Sequence, residues 1–196
     1  SCPNFGTYQN LILKGVGDFN TVFKYSGTGV ALSYEPTKSD QQFRYGNQLS
    51  GFLIDLGANG MHGLKFENQA HYSISDVWAY NGAPSAIHIA LLTCVLGKGE
   101  NFGTPINRVP ESSYATESIR IGVSSKLLPS TANVFTNIVA EGATGHGLRL
   151  LDADNNVFNG GTAETNTGYG ITIGASCRNN TFISTDCENN TLADIT

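Results

Sequence analysis

The sequence predicts an all-β fold, a parallel β-solenoid, because a rung-length repeat is written three times near the C-terminus. Each repeat begins with an asparagine and has a phenylalanine two residues later: Asn133-Val-Phe135, Asn156-Val-Phe158 and Asn180-Thr-Phe182. The three starts are 23 and 24 residues apart. The first two repeats then carry a glycine followed by an apolar-X-apolar strand pattern, at Gly147–Leu150 and Gly170–Ile173. Short strands that recur at one period, broken by Gly and Asn and without helical spacing, indicate a coiled solenoid.

Apolar-X-apolar patterns place the other strands in the same register. They occur at Val30–Leu32, Leu64–Phe66, Ile87–Ile89, Ile119–Ile121, Leu148–Leu150 and Ile171–Ile173, and Ile195 opens a further one. This predicts about seven rungs of roughly 23 residues, with the surplus chain in loops at 97–117 and 124–132. Because side chains alternate across a strand, the flanking apolar pair should point inward and the middle residue outward. The last rung is left open at Thr196, which predicts a single domain over 1–196 that is a fragment of a longer chain or is covered by a partner chain.

Composition agrees with one folded domain and excludes several functions. The chain has 196 residues and 23 glycines, with 40% hydrophobic and 14% charged residues. A net charge of −5 argues against nucleic-acid binding, and no stretch is long enough for membrane insertion. The four cysteines lack CxxC spacing, which argues against zinc, while a bridge between Cys177 and Cys187 stays open.

Two inward columns are interpreted as structural. The asparagines that start the repeats should sit at a turn, satisfy backbone groups of adjacent rungs and tolerate left-handed φ. An aromatic column two residues further on should belong to the core, and it consists of Tyr72, Phe135, Phe158 and Phe182.

Several segments carry a resemblance to a known family. Leu49–Asp55, the Gly-apolar-X-apolar strands and the Asn turns resemble the right-handed parallel β-helices of the pectin-lyase-like superfamily. Leu11–Gly17 followed by Thr21–Tyr25 resembles the first rungs of phage tailspike and capsule-depolymerase proteins. The resemblance implies a protein that binds or cleaves polysaccharide. It also implies a homotrimer, located outside the cell or on a virion.

A glutamate eight residues after each repeat asparagine forms the first candidate site: Glu141, Glu164 and Glu188. Their neighbours in the inward column are small, so the glutamates should share one outward face, with Gly57 and Trp78 in the same column on earlier rungs. Carboxylates about 5 Å apart on adjacent strands could act as acid and nucleophile of a glycosidase, with Trp78 stacking on a sugar ring. The alternatives are a bound cation such as Ca²⁺, or glutamates that only solvate the surface.

The second candidate site is a basic column at the outward centres of successive strands: Lys65, His88, Arg120 and Arg149, followed by Thr172. Such a column should attract an anionic glycan and bind its carboxylates. In lyases of the superfamily an Arg or Lys removes a proton beside a uronate carboxylate, commonly with Ca²⁺, and the resemblance allows that role for Arg120 or Arg149. The alternative is long side chains that cover the strand or pair across a subunit interface.

Three functions therefore remain open on the sequence. The chain could cleave a polysaccharide, by hydrolysis through the glutamates or by elimination through the basic column. It could bind a glycan or host receptor without turnover, or form a structural shaft of a trimeric fibre. The sequence favours a tailspike-like protein that acts on a surface polysaccharide, with no metal ligand set assigned and only Ca²⁺ left open as a cofactor.

Overall fold

The computed structural model describes residues 4–5, 8–17, 20–36, 42–104, 115–123 and 128–196, and these residues form short strands. The strands are β1 (Ile12–Lys14), β2 (Val22–Lys24), β3 (Val30–Tyr34), β4 (Arg44–Tyr45), β5 (Gln48–Asp55), β6 (His62–Glu67), β7 (Gln69–Ala70), β8 (Ser73–Tyr80), β9 (Ile87–Leu92), β10 (Lys98–Thr104), β11 (Glu117–Ile121), β12 (Ser130–Thr131), β13 (Val134–Ala140), β14 (His146–Leu150), β15 (Ala153–Asp154), β16 (Val157–Thr162), β17 (Tyr169–Ile173), β18 (Thr181–Ile183) and β19 (Ala193–Ile195). Within the described ranges there is no helix that could cross a membrane.

The strands stack into three parallel faces, which confirms the predicted right-handed parallel β-helix. Sheet A contains, in spatial order, β3, β6, β9, β11, β14, β17 and β19. Sheet B contains β1, β5, β8, β10, β13, β16 and β18, with β2 also paired to β5. A short sheet C is formed by the pairs β4–β7 and β12–β15, and isolated bridges at Val95 and Arg178 extend its line. Each rung passes from sheet A through sheet C to sheet B, so a residue's column is fixed by its place in the rung.

Apolar side chains from the three sheets fill the interior in stacks along the solenoid axis. Phe135 stacks on Phe158 at a ring-centroid distance of 5.2 Å, and Phe158 stacks on Phe182 at 4.6 Å. Strand register places Gly99 and then Ile74 on the preceding rungs of this column. Tyr72 is therefore not part of it, contrary to the prediction, although its ring is buried against Phe66.

An asparagine ladder closes the corner between sheets C and B. The Asn156 side-chain oxygen accepts hydrogen bonds from the Asn133 backbone N at 3.1 Å and from Asn133 Nδ2 at 2.8 Å. Asn180 Oδ1 accepts the equivalent pair from Asn156 at 3.1 and 3.0 Å. Tyr72 occupies the same corner two rungs earlier, and its hydroxyl donates to Asn133 Oδ1 at 3.1 Å. The predicted pairing with adjacent rungs is confirmed, but the left-handed φ belongs to the residues just before the asparagines: Ala132, Asn155 and Asn179.

Strand β9 corrects the predicted register of sheet A. Leu64 pairs with Ile89 and Lys65 pairs with Ala90, so Ala90 and not His88 follows Lys65 in the column. Three apolar residues alternate in this strand (Ile87, Ile89, Leu91), which leaves two registers open to the sequence, and packing of Ile89 and Leu91 into the core selects one.

The predicted loops are partly strand. Residues 98–104 of the first predicted loop form β10, which pairs with β8 and β13. Residues 105–114 of that loop and 124–127 of the second lie outside the described residues. Cys177 and Cys187 are free thiols, so the disulfide that the sequence left open is not formed.

Candidate functional site

Two adjacent outward columns on sheet A bring charged and aromatic side chains together on β11, β14 and β17. One column contains Glu117 and its register partner His146, and Tyr169 lies on the next rung. The other contains Arg120, its partner Arg149 and then Thr172. We call Glu117, Arg120, His146, Arg149 and Tyr169 the Glu117 centre.

Glu117 is the anchor of this centre. Its side chain is 1% exposed, and it accepts hydrogen bonds from both arginines. Arg120 donates to it twice, from Nε to Oε2 at 2.6 Å and from Nη2 to Oε1 at 2.5 Å. Arg149 Nη1 donates to Oε1 at 2.8 Å. Burial by itself raises the pKa of Glu117, but the hydrogen bonds and charges of Arg120 and then Arg149 outweigh it and hold the pKa below its usual range. The carboxylate is therefore ionised at neutral pH and fixes the two guanidinium groups side by side.

His146 adds an uncharged base next to these cations. Burial, then the positive charge of Arg149 and to a smaller extent that of Arg120, lower the pKa of His146, while the negative charge of Glu117 acts in the opposite direction. Its Nδ1 atom is buried and makes no hydrogen bond to any part of the chain that the structure describes. The ring stacks on Tyr169 with a centroid distance of 5.6 Å and an interplanar angle of 25°. His146 is thus neutral at pH 7 and can act as a base through Nε2, the ring nitrogen that is not buried in this way.

The preceding rung limits the centre on its N-terminal side. The outward side chains of β9, Ile87, Ala90 and Leu92, are all buried and form a small cluster with Val123. Beyond this strip Lys65 pairs with Glu35 at 2.7 Å and with Glu67 at 3.5 Å. Among the residues that the structure describes, this face carries two charged groups, and the one on β11, β14 and β17 combines two arginines with a histidine.

The structure confirms one part of the predicted basic column and corrects another. Arg120 and Arg149 do lie in one column and share one carboxylate. Lys65 lies in the same column but belongs to the other charged group. The prediction that His88 points outward is wrong, because the residue is 0% exposed. His88 Nε2 accepts from the Gly82 backbone N at 3.3 Å, and Nδ1 lies 2.8 Å from Thr104 Oγ1.

Sequence reasoning missed three members of the centre, although a signal was present. Glu117, His146 and Tyr169 each stand three residues before the middle of an apolar-X-apolar strand. Because these three residues keep the same distance in sequence from Arg120, Arg149 and Thr172, they must stack on successive rungs as a second column.

The three predicted glutamates form one column, which we call the glutamate file, just beyond the C-terminal ends of strands in sheet B. The pairing of Val139 with Thr162, and the bridge from Thr162 to Asp186, align Glu141, Glu164 and Glu188 on successive rungs. Glu141 is buried and accepts from Thr162 Oγ1 at 2.7 Å.

Carboxylate oxygens of Glu164, Asp186 and Glu188 all lie within 4.8 Å of one another. Burial, followed by the charges of Glu141, Glu188 and Asp186, raises the pKa of Glu164. Carboxylates in such a group are the ligands that Ca²⁺ prefers.

Trp78 does not belong to this file. It pairs with Gly103, which pairs with Val139, two residues before Glu141. The indole is 5% exposed, so the predicted sugar-stacking surface is not available. Gly57 likewise falls outside the column, because Asp55 and Tyr80 occupy the place two residues after Leu53 and Trp78.

Comparison with known proteins gives a structural similarity only. No protein-family profile matches the chain, and no curated protein matches it in sequence. Among solved structures it is similar to the A-module of the mannuronan C-5 epimerase AlgE6 from Azotobacter vinelandii, with a TM-score of 0.57 and 18% sequence identity. The alignment covers 95% of this chain and 58% of that structure. At this identity the similarity establishes a shared parallel β-helix fold.

Proposed function

We propose that the chain binds and modifies an anionic, uronate-containing polysaccharide at the Glu117 centre. The observation that carries the proposal is the side-by-side placement of Arg120 and Arg149 on one buried carboxylate, next to a neutral histidine. The two arginines together exceed the charge of Glu117 by one positive unit, which suits a sugar carboxylate. The fold is shared with an enzyme named for C-5 epimerisation of mannuronan, a uronate polymer, and this supports the same substrate class.

The geometry supports chemistry that starts by removing a proton next to the carboxylate. Arg120 and Arg149 would bind the uronate carboxylate and stabilise the negative charge that develops on it. His146 would accept the proton from C5 through Nε2, since Nδ1 is buried. In elimination, the C5–H electrons form a C4–C5 double bond, the C4–O bond breaks, and the leaving oxygen takes a proton from Tyr169 or water. In epimerisation, a proton instead returns to C5 from the opposite side, and water supplies it, because Tyr169 stacks on His146 and lies on the same side as the base.

The test is to incubate the protein with polymannuronate, polygalacturonate and neutral dextran. Ultraviolet absorbance reports the unsaturated product of elimination, and proton NMR reports inversion at C5. We expect one of these signals on a uronate polymer and none on dextran, with a loss of at least about 100-fold in His146→Gln. Lys98→Gln, an exposed change on sheet B, is the matched control. New reducing ends without either signal would contradict the proposal.

A second candidate is hydrolysis at the glutamate file, because the raised pKa of Glu164 beside Glu141 suits a proton donor with an ionised partner. Hydrolysis would give reducing ends without absorbance and would be lost in Glu164→Gln, whereas His146→Gln would keep it. Binding without turnover, or a shaft role in a trimeric fibre, predicts neither product. We also propose that the protein is tailspike-like, forms a homotrimer and is located outside the cell or on a virion.

A further inference from the structure

The outer face of sheet B carries a cavity on its first rungs, and none of its lining residues belongs to the two sites described above. Strands β1 and β2 both pair with β5, β1 along Gln48–Ser50 and β2 along Leu53–Asp55. Residues 14–17, at the end of β1, line a cavity of about 720 Å³ together with residues of β5 and β8. The cavity is largely open to solvent, so a ligand there would keep part of its surface in water.

Backbone contacts fix the wall of this cavity. Gly15 N donates to the Ser50 carbonyl at 2.8 Å, and Gly17 N donates to the Gly51 carbonyl at 3.3 Å. A side chain on Gly15 would begin 1.9 Å from the Gly51 carbonyl oxygen, and Gly51 has a φ of 69°. Only glycines allow this approach, so the wall is set by the sequence.

The lining combines opposite charges with hydroxyl groups. Lys14 brings an ammonium group, Asp76 a carboxylate, and Ser50 and Ser75 bring hydroxyls on paired positions of β5 and β8. Asp76 has a φ of 52°, and its Oδ1 accepts from Asn101 Nδ2 at 3.3 Å. Val16, which is 85% exposed, adds an apolar surface at the same cavity.

We infer that this cavity is a second saccharide-binding site, which takes a uronic-acid residue. Lys14 would pair with the sugar carboxylate, Asp76 would accept hydrogen bonds from ring hydroxyls, and Ser50 and Ser75 would bond further hydroxyls. Val16 offers contact to the C–H face of the ring. Polar side chains continue on the next rungs, where Asn137 Nδ2 donates to Asn101 Oδ1 at 3.4 Å. A longer saccharide chain would therefore run along the solenoid axis. The inference does not depend on catalysis at sheet A.

The test is calorimetric titration with trigalacturonate, with cellotriose as the neutral analogue. To separate the two faces, the titration is repeated in Arg120→Gln/Arg149→Gln, which removes the cations of the Glu117 centre. In that background we expect binding of trigalacturonate to persist and to weaken at least about five-fold when Lys14→Gln is added. Lys98→Gln is the matched control, and circular dichroism confirms that each variant is folded.

The outcomes separate the two proposals. Equal binding with and without Lys14→Gln overturns the cavity site and leaves the Glu117 centre untouched. Loss of all binding in the double arginine variant also overturns the cavity site while it supports the uronate site on sheet A. Equal weakening of cellotriose binding by Lys14→Gln overturns the assignment to a uronic acid.

Discussion

Glu117 is a charged side chain buried on the outward side of a strand, a position that costs free energy unless its partners are in place. A carboxylate removed from water is stabilised only by well-placed charges and hydrogen bonds. Arg120 supplies a two-point contact from the same strand and Arg149 a third contact from the next. Glu117 therefore acts as a positioning residue, because it holds both arginines where a ligand carboxylate could reach them.

Replacement of Glu117 by glutamine should lower stability and disorder the two arginines. An amide leaves both guanidinium groups without a counter-charge, but Arg120 and Arg149 are partly exposed, so we expect a loss of about 1–3 kcal/mol at pH 7. The lowered pKa of Glu117 gives a contribution that is present above the pKa of an unfolded carboxyl, about 4.3, and is lost as the pH falls through the folded value. Urea unfolding from pH 7 to pH 3 measures both effects. Glu188→Gln, an exposed change, is the control, and an equal loss there would contradict the assigned role.

His88 should make the protein sensitive to acid. Burial lowers the pKa of His88 to about 3, while an unfolded histidine titrates near 6.5. Because the unfolded state takes up the proton first, the contribution of this group falls by about 1.4 kcal/mol per pH unit between these two values. His88→Gln should flatten the stability curve in this range, measured by urea unfolding at several pH values. If the exposed His71→Gln flattens it as much, the effect does not come from His88.

At the scale of elements, the asparagine ladder and the phenylalanine stack hold successive rungs in register. A parallel strand pair tolerates slippage unless side chains specify the pairing. The ladder does so by satisfying backbone groups of the next rung, and the stacked rings do so by direct contact.

Asn156→Ala should destabilise the C-terminal rungs. Its side chain bonds Asn133, Asn180 and, through Nδ2 at 3.0 Å, the Ser130 carbonyl. Buried groups left without partners cost about 1–3 kcal/mol each, so we expect a total loss of about 2–4 kcal/mol by urea unfolding. Asn159→Ala, on the exposed side of β16, should change stability little, and a comparable loss there would count against the ladder.

The glutamate file should respond to Ca²⁺ if it is a cation site. Without cation, the raised pKa of Glu164 means that its charged form is disfavoured, so Glu164→Gln should raise Tm slightly at pH 7. With Ca²⁺ the wild type should gain stability and the variant should not. Differential scanning calorimetry in Ca²⁺ and in chelator measures this, and an equal Ca²⁺ response in both proteins would exclude Glu164 as a ligand.

At the scale of the whole molecule, the solenoid assigns different chemistry to its faces. Sheet A carries the Glu117 centre. The glutamate file lies beyond the C-terminal ends of strands in sheet B, and the cavity with Lys14 and Asp76 lies on the first strands of that sheet. Because rungs repeat the same path, each face presents its groups at the strand spacing of about 4.8 Å, which suits a polymer.

The homotrimer is a prediction at this scale. Light scattering combined with size-exclusion chromatography should give a mass of three times 20.8 kDa. A mass that stays at 20.8 kDa at every concentration would exclude the trimer and, with it, the shaft function.

The sequence by itself determined the fold class, the direction of the strands and the alignment of the C-terminal rungs. It could do so because Asn133, Asn156 and Asn180 recur at a nearly constant period, and a constant period fixes which residues stack. It also found Arg149 and the three glutamates, which lie where that period holds, and Arg120, which the apolar-X-apolar pattern of its strand revealed.

Only the tertiary structure decided the register at β9, the burial of His88 and Trp78, and the joining of Glu117 to both arginines. The physical reason for the β9 register is that this strand contains alternating apolar residues without a marker such as the repeat asparagine, so two registers satisfy the sequence equally. Core packing chooses between them, and that choice places Ala90 beside Lys65 and removes His88 from the outward column. A carboxylate buried between two arginines on different rungs is likewise a result of stacking, which no single rung of the sequence contains.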